Sequence, residues 1–337
     1  MSAALQAAAR LPPAALRRRR ESTGLDFELS DDQRAILEAV EALLAQRAGA
    51  ARAIALERKG GCDLELEAAL ADAGFLEVAI GEETGLLEAV LVVEAVTRAA
   101  GVVSIGASAL VAPGVAGALL PGPVALALQG CREPVRFAPQ ARTLLLDAGD
   151  EARLIPLVPG ASARAIRSNF MLPLGRFESL PEGESLGPGS GERLRRFWRL
   201  ALAAECVGAM RAALDETVAF VKRRRQFGRA IGSFQAVQHR LAECAVLIEG
   251  SRWLALEAAA HGAQAEAVAL AAAHAGSAAN RVFAETHQLS GAMGFTREHD
   301  LHVWTMRLQV LRRELGGTTE HRRAAARARW HGAESQP

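Results

Sequence analysis

The helical periodicity of the C-terminal half constrains the fold of this chain more than any other feature. From residue 193 to about residue 327, apolar residues recur at helical spacing over segments much longer than a strand. One stripe consists of Phe197, Leu200, Ala204, Val207, Leu214, Val218 and Val221. Further segments run over about 235–260, 265–289 and 301–313. Four long helices in succession predict a four-helix bundle over residues 194–330.

The N-terminal region also has helical texture, over residues 25–120. Ser30 precedes Asp31 and Asp32, which is the order of an N-cap and an acidic first turn. A later segment opens after Gly85 and is stopped by Gly101. We therefore expect an N-terminal helical domain. Residues 1–24 are arginine-rich and acid-poor until Glu21, loosely like a transit peptide, and are interpreted as a disordered extension.

The middle of the chain, residues 121–180, has a different texture. The short apolar runs "VALAL", "RTLLLD" and "RLIPLV" lie between Gly, Pro and Asp residues, which predicts strands of a small β domain. Residues 181–193 ("PEGESLGPGSGER") read as a linker by composition, and Pro188 among the glycines argues against a phosphate loop. The predicted fold is mainly α with a small central β domain.

Composition excludes several classes of function. The formal net charge of +1 argues against nucleic acid as the main partner. The chain has four widely spaced cysteines, Cys62, Cys131, Cys206 and Cys244. Such spacing does not match a zinc-binding motif, and it fits reduced thiols in a cytoplasmic protein. Apolar runs are short and broken by Pro and Gly, so we expect no membrane span.

Two motifs in the C-terminal half carry a family resemblance. The stretch "RRRQFGRAIGSFQAVQH" contains Arg224-x-x-Phe227-Gly228 and then Phe234-Gln235. The later stretch "QLSGAMGFTREHD" precedes a helix and the turn "LGGTT". In this order and spacing they resemble the C-terminal domain of the acyl-CoA dehydrogenase family, and "DFELSDDQRAILEAV" is similar to the start of its N-terminal domain.

The resemblance implies FAD as cofactor. A guanidinium can grip a pyrophosphate through parallel hydrogen bonds. By match to the family, Arg224 would contact the pyrophosphate, across a dimer interface, in the flavin site of the neighbouring subunit. The remaining cofactor-binding residues implied by the match are Phe227, Gln235, Gln288, Gly291, Gly294 and Thr318. The flanking Arg223 and Arg225 read as a solvated helix end.

The catalytic base that the family requires is missing at both expected places. The base must take a proton from the carbon next to the thioester. The two matching positions are Gly316 and Trp198, and neither residue accepts a proton. Glu205 is an isolated acid in "LALAAECVG" and is the substitute candidate, with an ion pair to Arg199 or Arg211 as the alternative. Glu320 is expected on the helix surface near Arg323.

This combination resembles the small chains of heteromeric acyl-CoA dehydrogenases, including those acting on steroid side chains or rings. The resemblance implies a larger acyl-CoA dehydrogenase homologue as partner, in a heterotetramer, with an acyl-CoA substrate and an electron-transferring flavoprotein. Two alternatives stay open. One is a self-sufficient homomeric enzyme with Glu205 as the displaced base, and the other is a non-catalytic structural subunit.

Overall fold

Ser30 starts the first helix of the protein as an N-cap. In the computed structural model, which describes residues 28–130, 132–180 and 182–331, the Ser30 hydroxyl accepts from the Gln33 amide N–H and the Gln33 side chain accepts from the Ser30 N–H. This capping box satisfies two helix-terminal donors. The predicted extension, residues 1–24, lies outside the described residues.

The N-terminal region is helical, as its periodicity predicts. Its helices are α1 (Asp31–Arg47), α2 (Ala50–Lys59), α3 (Leu64–Asp72), α4 (Leu86–Arg98) and α5 (Ala112–Ala116). A 3₁₀ turn spans Val78–Ile80, and a π-helical turn, Ala107–Val111, leads into α5. α4 is the most deeply buried of the five and packs on both α1 and the bundle.

The central β region forms two small sheets. Its strands are β1 (Val124–Leu128), β2 (Val135–Arg136), β3 (Thr143–Asp147), β4 (Ala152–Pro156), β5 (Arg164–Ile166), β6 (Leu174–Arg176) and β7 (Glu184–Ser185). One sheet has the order β1-β3-β4-β7, in which only β1 and β3 are parallel. The other is antiparallel with the order β2-β6-β5. This arrangement brings the end of β2 against the bundle.

The predicted linker is partly structured. β7 pairs with β4, and the long bundle helix α6 (Ser190–Arg223) begins inside the linker range. Gly189 precedes the helix in a left-handed conformation, and a Cβ on Gly191 would lie 2.1 Å from the Gly149 carbonyl oxygen. The helix therefore starts early because its first turn packs against the β region.

The C-terminal bundle is built from long helices, with one more than predicted. After α6 come a hairpin of β8 (Arg225–Gln226) and β9 (Arg229–Ala230), then α7 (Gln235–Ala260), α8 (Ala265–Ser290), α9 (Leu301–Leu311) and α10 (Gly317–His331). α8 packs on α6, α7 and α10 and is the centre of the bundle. No helix in the described ranges is long and apolar enough to cross a membrane.

Candidate functional site

Four side chains from three parts of the chain meet in the interior. Trp198 and Glu205 lie two turns apart on one face of α6. Arg136 ends β2, and Glu314 follows the end of α9. The contact between the β region and the bundle is therefore held by polar groups. We call this set of four the junction network.

Arg136 is the hub of the junction network. Its Nε and Nη2 donate to the two carboxylate oxygens of Glu314 at 2.5 and 3.2 Å. Its Nη1 donates to Glu205 Oε1 at 3.1 Å, and its Nη2 lies 3.0 Å from Glu205 Oε2. Trp198 Nε1 donates to Glu314 Oε2 at 2.6 Å. The predicted alternative partners of Glu205, Arg199 and Arg211, are wrong, because the guanidinium that reaches it comes from the β region.

Burial sets the electrostatics of this network. Burial raises the pKa of Glu205, and the charge of Arg136 only partly opposes that shift. Burial also works against the charge of Arg136, but Glu205 and Glu314 outweigh it and keep its pKa above the ordinary value. The Glu205 carboxylate is nevertheless held by Arg136, and releasing it would leave this buried guanidinium with one partner fewer. The contacts of Glu205 therefore do not favour the role of displaced base.

A second buried arginine lies close to the network. Arg307, on α9, donates from Nη1 to the Gly101 carbonyl at 2.9 Å and from Nη2 to the Ala100 carbonyl at 3.1 Å. Burial lowers its pKa to about 10, and the charge of Glu205 opposes that lowering. Arg307 thus ties the end of α4 to the bundle.

The backbone at the other empty base position is unusual. Leu315, Gly316 and Gly317 all have left-handed φ values, of 51°, 80° and 69°. A Cβ on Gly316 would lie 2.8 Å from the Cβ of Glu320. Glu320 itself pairs with Arg327 and, at 3.8 Å, with Arg323, as expected for a surface acid. The carboxylate that this turn does carry, Glu314, is bound to Arg136 and Trp198.

A very small cavity adjoins the junction network. It measures about 10 Å³, roughly the room of one water molecule. It is lined by Ser104, Ala107, Val124, Leu126, Arg136, Phe137, Glu205 and Glu314. Half of the lining residues are apolar, and the other half, Ser104, Arg136, Glu205 and Glu314, are polar or charged.

The arginine motif forms an exposed hairpin at the far end of α6. Phe227 and Gly228 make its turn with left-handed φ values of 54° and 79°, and Phe227 is 88% exposed. Arg223, Arg224 and Arg225 are exposed beside it. Within the described ranges, no carboxylate forms an ion pair with any of these three arginines. The hairpin therefore presents free guanidinium groups and an aromatic ring to the outside.

Several of the other predicted cofactor-binding residues lie at the same end of the bundle. Gln235 is the exposed first residue of α7, a helix start without a side-chain cap. Arg240 of α7 pairs with Glu285 of α8, which places the start of α7 beside the end of α8. That end carries the exposed Gln288 and Gly291, and the buried Gly294 follows. These groups suit an anion, because unpaired arginines and the uncapped start of α7 lie at this end of the bundle.

Thr318 lies elsewhere. It begins α10 and contacts the middle of α8, where a Cβ on Gly276 would lie 2.7 Å from the Thr318 hydroxyl. Gln288 is twelve residues further along α8, about 18 Å along the axis at 1.5 Å per residue. One chain therefore does not gather all seven predicted residues into one cluster.

The hairpin is well separated from the junction network along α6. Arg224 follows the helix and Trp198 lies near its start, a separation of about 40 Å at 1.5 Å per residue. The arginine side chain is far too short to span that distance. The hairpin of this chain therefore cannot serve the same chain's base positions.

The sequence interpretation missed Arg136 and Glu314. Glu314 lies two residues before the empty position Gly316, and that closeness was the available signal. Arg136 is a lone arginine at the end of a two-residue strand, 178 residues from Glu314, so nothing local pointed to the pair.

Comparison with known proteins agrees with this architecture. Residues 196–330 match the family model "Acyl-CoA dehydrogenase, C-terminal domain", and residues 30–119 match "Acyl-CoA dehydrogenase, N-terminal domain". In solved structures, a chain of the ChsE4-ChsE5 complex from Mycobacterium tuberculosis superposes with a TM-score of 0.75 at 22% identity, covering 93% of this chain and 100% of that one. That likeness shows the shared fold.

Curated relatives match over less than half of the chain. Acyl-CoA dehydrogenase FadE34 of Mycobacterium tuberculosis is 36% identical over 157 residues, 45% of this chain and 22% of that protein. Acyl-CoA dehydrogenase IpdE2 of Mycolicibacterium smegmatis is 36% identical over 148 residues, 44% of this chain and 47% of that protein. The matched part thus spans less than half the length of either relative.

Proposed function

Because the chain belongs to the acyl-CoA dehydrogenase family, whose members bind FAD, we propose that it is the small subunit of a heteromeric acyl-CoA dehydrogenase. In this role it donates its arginine hairpin to the flavin site of a larger partner chain. The reaction is the α,β-desaturation of an acyl-CoA thioester. Bound FAD supplies the hydride acceptor, and an electron-transferring flavoprotein then takes the electrons.

The position of the hairpin carries this proposal. Arg224 is exposed, has no carboxylate partner in the described ranges, and lies about 40 Å along α6 from the chain's own base position at Trp198. An unpaired guanidinium on a structured hairpin is suited to a dianionic group supplied by another molecule. A pyrophosphate bound mainly to a partner chain is such a group.

The residues of this chain then have separate roles at the shared site. Arg224 binds the pyrophosphate, and Phe227 and Gln235 flank it at the hairpin and the start of α7. Gln288, Gly291 and Gly294 line the adenosine side, where glycine lets the backbone approach closely. Thr318, which lies apart in this chain, acts at a different part of the assembled site. The partner supplies the carboxylate that takes the α-proton.

The state of the chain's own base positions supports a partner. Trp198 and Gly316 cannot accept a proton, and Glu205 is bound to Arg136. A heterotetramer with a larger homologue provides the missing base. The two-protein ChsE4-ChsE5 complex, whose chain shares this fold, gives a precedent for such an assembly.

The self-sufficient enzyme with Glu205 as base is the less favoured alternative. Its carboxylate would have to leave Arg136, and the guanidinium would then stay buried with one partner fewer. A purely structural subunit is also less favoured, because a structural role gives no reason to keep exposed, unpaired arginines beside an exposed phenylalanine.

The flavin content of the purified protein tests the proposal. We expect no flavin absorbance from the desalted chain alone and stoichiometric flavin when it is co-expressed with its longest neighbouring homologue. In the complex, Arg224→Ala should weaken flavin binding at least tenfold, whereas the matched exposed variant Arg225→Ala should not. Stoichiometric flavin on the chain alone would overturn the small-subunit assignment, and equal effects of the two variants would overturn the role of Arg224.

A further inference from the structure

A charged cleft lies between two helices of the N-terminal domain, α1 and α4, and two helices of the bundle, α6 and α7. Its volume is about 240 Å³, just below the roughly 300 to 1,000 Å³ of ordinary small-molecule sites. Six of its lining residues are charged, and they are Glu41 on α1, Glu94 and Arg98 on α4, Arg211 and Asp215 on α6, and Arg252 on α7. The proposed function uses none of them, so the charged cleft is a separate feature of the molecule.

Two arginines lie at the deep end of the charged cleft, since the side chain of Arg252 is only 16% exposed and that of Arg211 24%. Arg252 Nε donates to the two carboxylate oxygens of Glu94 at 3.2 and 3.0 Å, and Arg211 Nη2 donates to Glu249. Burial raises the pKa of Glu94, and the charges of Arg252 and Arg211 oppose that shift, so both guanidinium groups lie near this carboxylate. A guanidinium has five N–H donors, and here each uses one nitrogen for its hydrogen bonds to the described residues. The remaining donors are available to a carboxylate.

The open side of the charged cleft carries a free acid. Arg98 and Asp215 form an ion pair there at 2.9 Å, with side chains that are 48% and 53% exposed. Glu41 is also exposed, and it forms no ion pair within the part of the chain that the structure describes. Free guanidinium N–H groups and a free carboxylate therefore line the same cleft.

The charges of the lining cancel, because three arginines stand against three acids. A ligand with a net charge would meet repulsion from one of the two sets, whereas a ligand that carries both signs is complementary to the lining. The rest of the wall is apolar and consists of Leu37, Leu91 and Ala95. This part of the wall suits an aliphatic group, which gains by leaving water.

We infer that the charged cleft binds a small zwitterion of the α-amino acid type with an aliphatic side chain. The ligand carboxylate accepts hydrogen bonds from Arg211 and Arg252, its ammonium group donates to Glu41, and its side chain packs on Leu37 and Leu91. Such a ligand contacts the N-terminal domain and the bundle at once, so its binding stabilises the contact between them. The inference does not depend on the proposed function.

Three probes of nearly the same shape test the class of ligand by isothermal titration calorimetry on the full chain. Leucine carries both charges, isocaproate lacks the ammonium group, and isoamylamine lacks the carboxylate. We expect one leucine per chain with a dissociation constant of about 1 mM or below, and binding at least about tenfold weaker for either analogue. The inference is overturned if leucine shows no saturable binding up to roughly 10 mM. Equal affinity for isocaproate or for isoamylamine would overturn the assignment to a zwitterion.

A variant of the free acid tests the ammonium contact. Glu41→Gln changes an exposed side chain without an ion pair, so the fold should be unaffected. It should weaken leucine binding about tenfold and leave isocaproate binding unchanged. The matched control is Glu38→Gln, another exposed acid of α1, which does not line the cleft and should change neither affinity. Unchanged leucine affinity in Glu41→Gln would show that Glu41 does not hold the ammonium group.

A variant of one deep arginine tests the carboxylate contact. Arg211→Gln leaves its partner Glu249 at 44% exposure, where water can solvate the carboxylate. It should weaken the binding of leucine and of isocaproate by a similar factor, because both probes carry the carboxylate. Arg47→Gln, an exposed arginine of α1 outside the cleft, is the control and should weaken neither. If Arg211→Gln bound both probes as the wild type does, the carboxylate contact assigned to Arg211 would be wrong.

Discussion

Trp198 and Glu314 are joined by a hydrogen bond of 2.6 Å from the indole Nε1 to the carboxylate Oε2. By the family resemblance, Trp198 stands at one of the two expected base positions, and Glu314 lies two residues before the other, Gly316. Both side chains are engaged in this hydrogen bond. Arg136 completes the contact, so the same side chains that fail to supply a base connect the bundle to the β region.

Removal of the charge on Glu314 should destabilise the protein. Glu314→Gln keeps an acceptor for Trp198 but leaves the buried Arg136 with one carboxylate, so we expect a loss of about 3 kcal/mol in the free energy of unfolding. Urea denaturation measures it. The matched control is Glu178→Gln, because Glu178 pairs with Arg164 at 3.6 Å on the surface. That variant should change stability little, and a comparable loss there would contradict the prediction.

Replacement of the hairpin phenylalanine should separate stability from cofactor binding. Phe227 has a left-handed φ of 54° and is 88% exposed, at a position where asparagine is better suited. Phe227→Asn should therefore maintain or raise the unfolding free energy, by up to about 1 kcal/mol. The co-expressed complex should nevertheless lose flavin.

The control for Phe227→Asn is Val246→Asn, which changes another apolar residue, 71% exposed, on the outer face of α7. It should leave flavin content unchanged. If both variants retained flavin equally, the exposed ring of Phe227 would have no part in the shared site.

Glu67 should make stability depend on pH. Burial raises the pKa of this carboxyl from 4.5 to about 7, with Arg142 opposing the shift, and neither oxygen has a hydrogen-bond partner. The folded state thus binds this proton more tightly than the unfolded chain. Its stabilising effect is complete below about pH 4.5 and is lost as the pH rises through about 7.

Glu67→Gln should remove that part of the pH dependence. Above pH 7 the variant should be more stable than the wild type, by at most about 3 kcal/mol from the size of the shift. Urea unfolding at pH 5 and pH 8 measures the difference. The two proteins should converge at the lower pH, and parallel curves would show that Glu67 titrates normally.

Gly208 should be essential for the contact between α4 and α6. A Cβ there would lie 2.3 Å from the Glu94 carbonyl oxygen and 3.0 Å from the Arg98 amide nitrogen, both backbone atoms. Gly208→Ala should therefore cost about 3 kcal/mol, since two helices must separate. The control, Gly250→Ala on α7, meets only the His274 ring, at 3.2 Å. It should change the unfolding free energy by no more than about 1 kcal/mol, as thermal denaturation would show.

The order of helices, sheet and helices was predictable because periodicity and capping are local. Ser30 is the N-cap that its neighbours suggested, and α4 stops before Gly101 as expected. The start of α6 was misplaced because the contact of Gly191 with Gly149 decides it, and that contact depends on the fold. A fifth bundle helix, α10, was hidden because the segment after Gly317 is mainly polar.

The site was only half predictable for the same reason. The arginine hairpin is a contiguous motif, so its residues were found together, and its exposed position fits the interpretation. Arg136 and Glu314 come from distant segments, and only folding reveals that they meet. The residues at the two expected base positions, Trp198 and Gly316, can be read from the sequence. The nearby ion pair between Arg136 and Glu314 cannot.

The left-handed run Leu315–Gly316–Gly317 limits which side chains position 316 can accept. A glutamate introduced at position 316 would adopt a φ of 80°, which strains any residue with a Cβ, and would press against Glu320. It would also lie two residues from Glu314, which already forms an ion pair with Arg136. The main-chain conformation at Gly316 therefore disfavours a base at this position, in addition to the missing side chain. A Gly316→Glu substitution alone would therefore not place a relaxed carboxylate at this position.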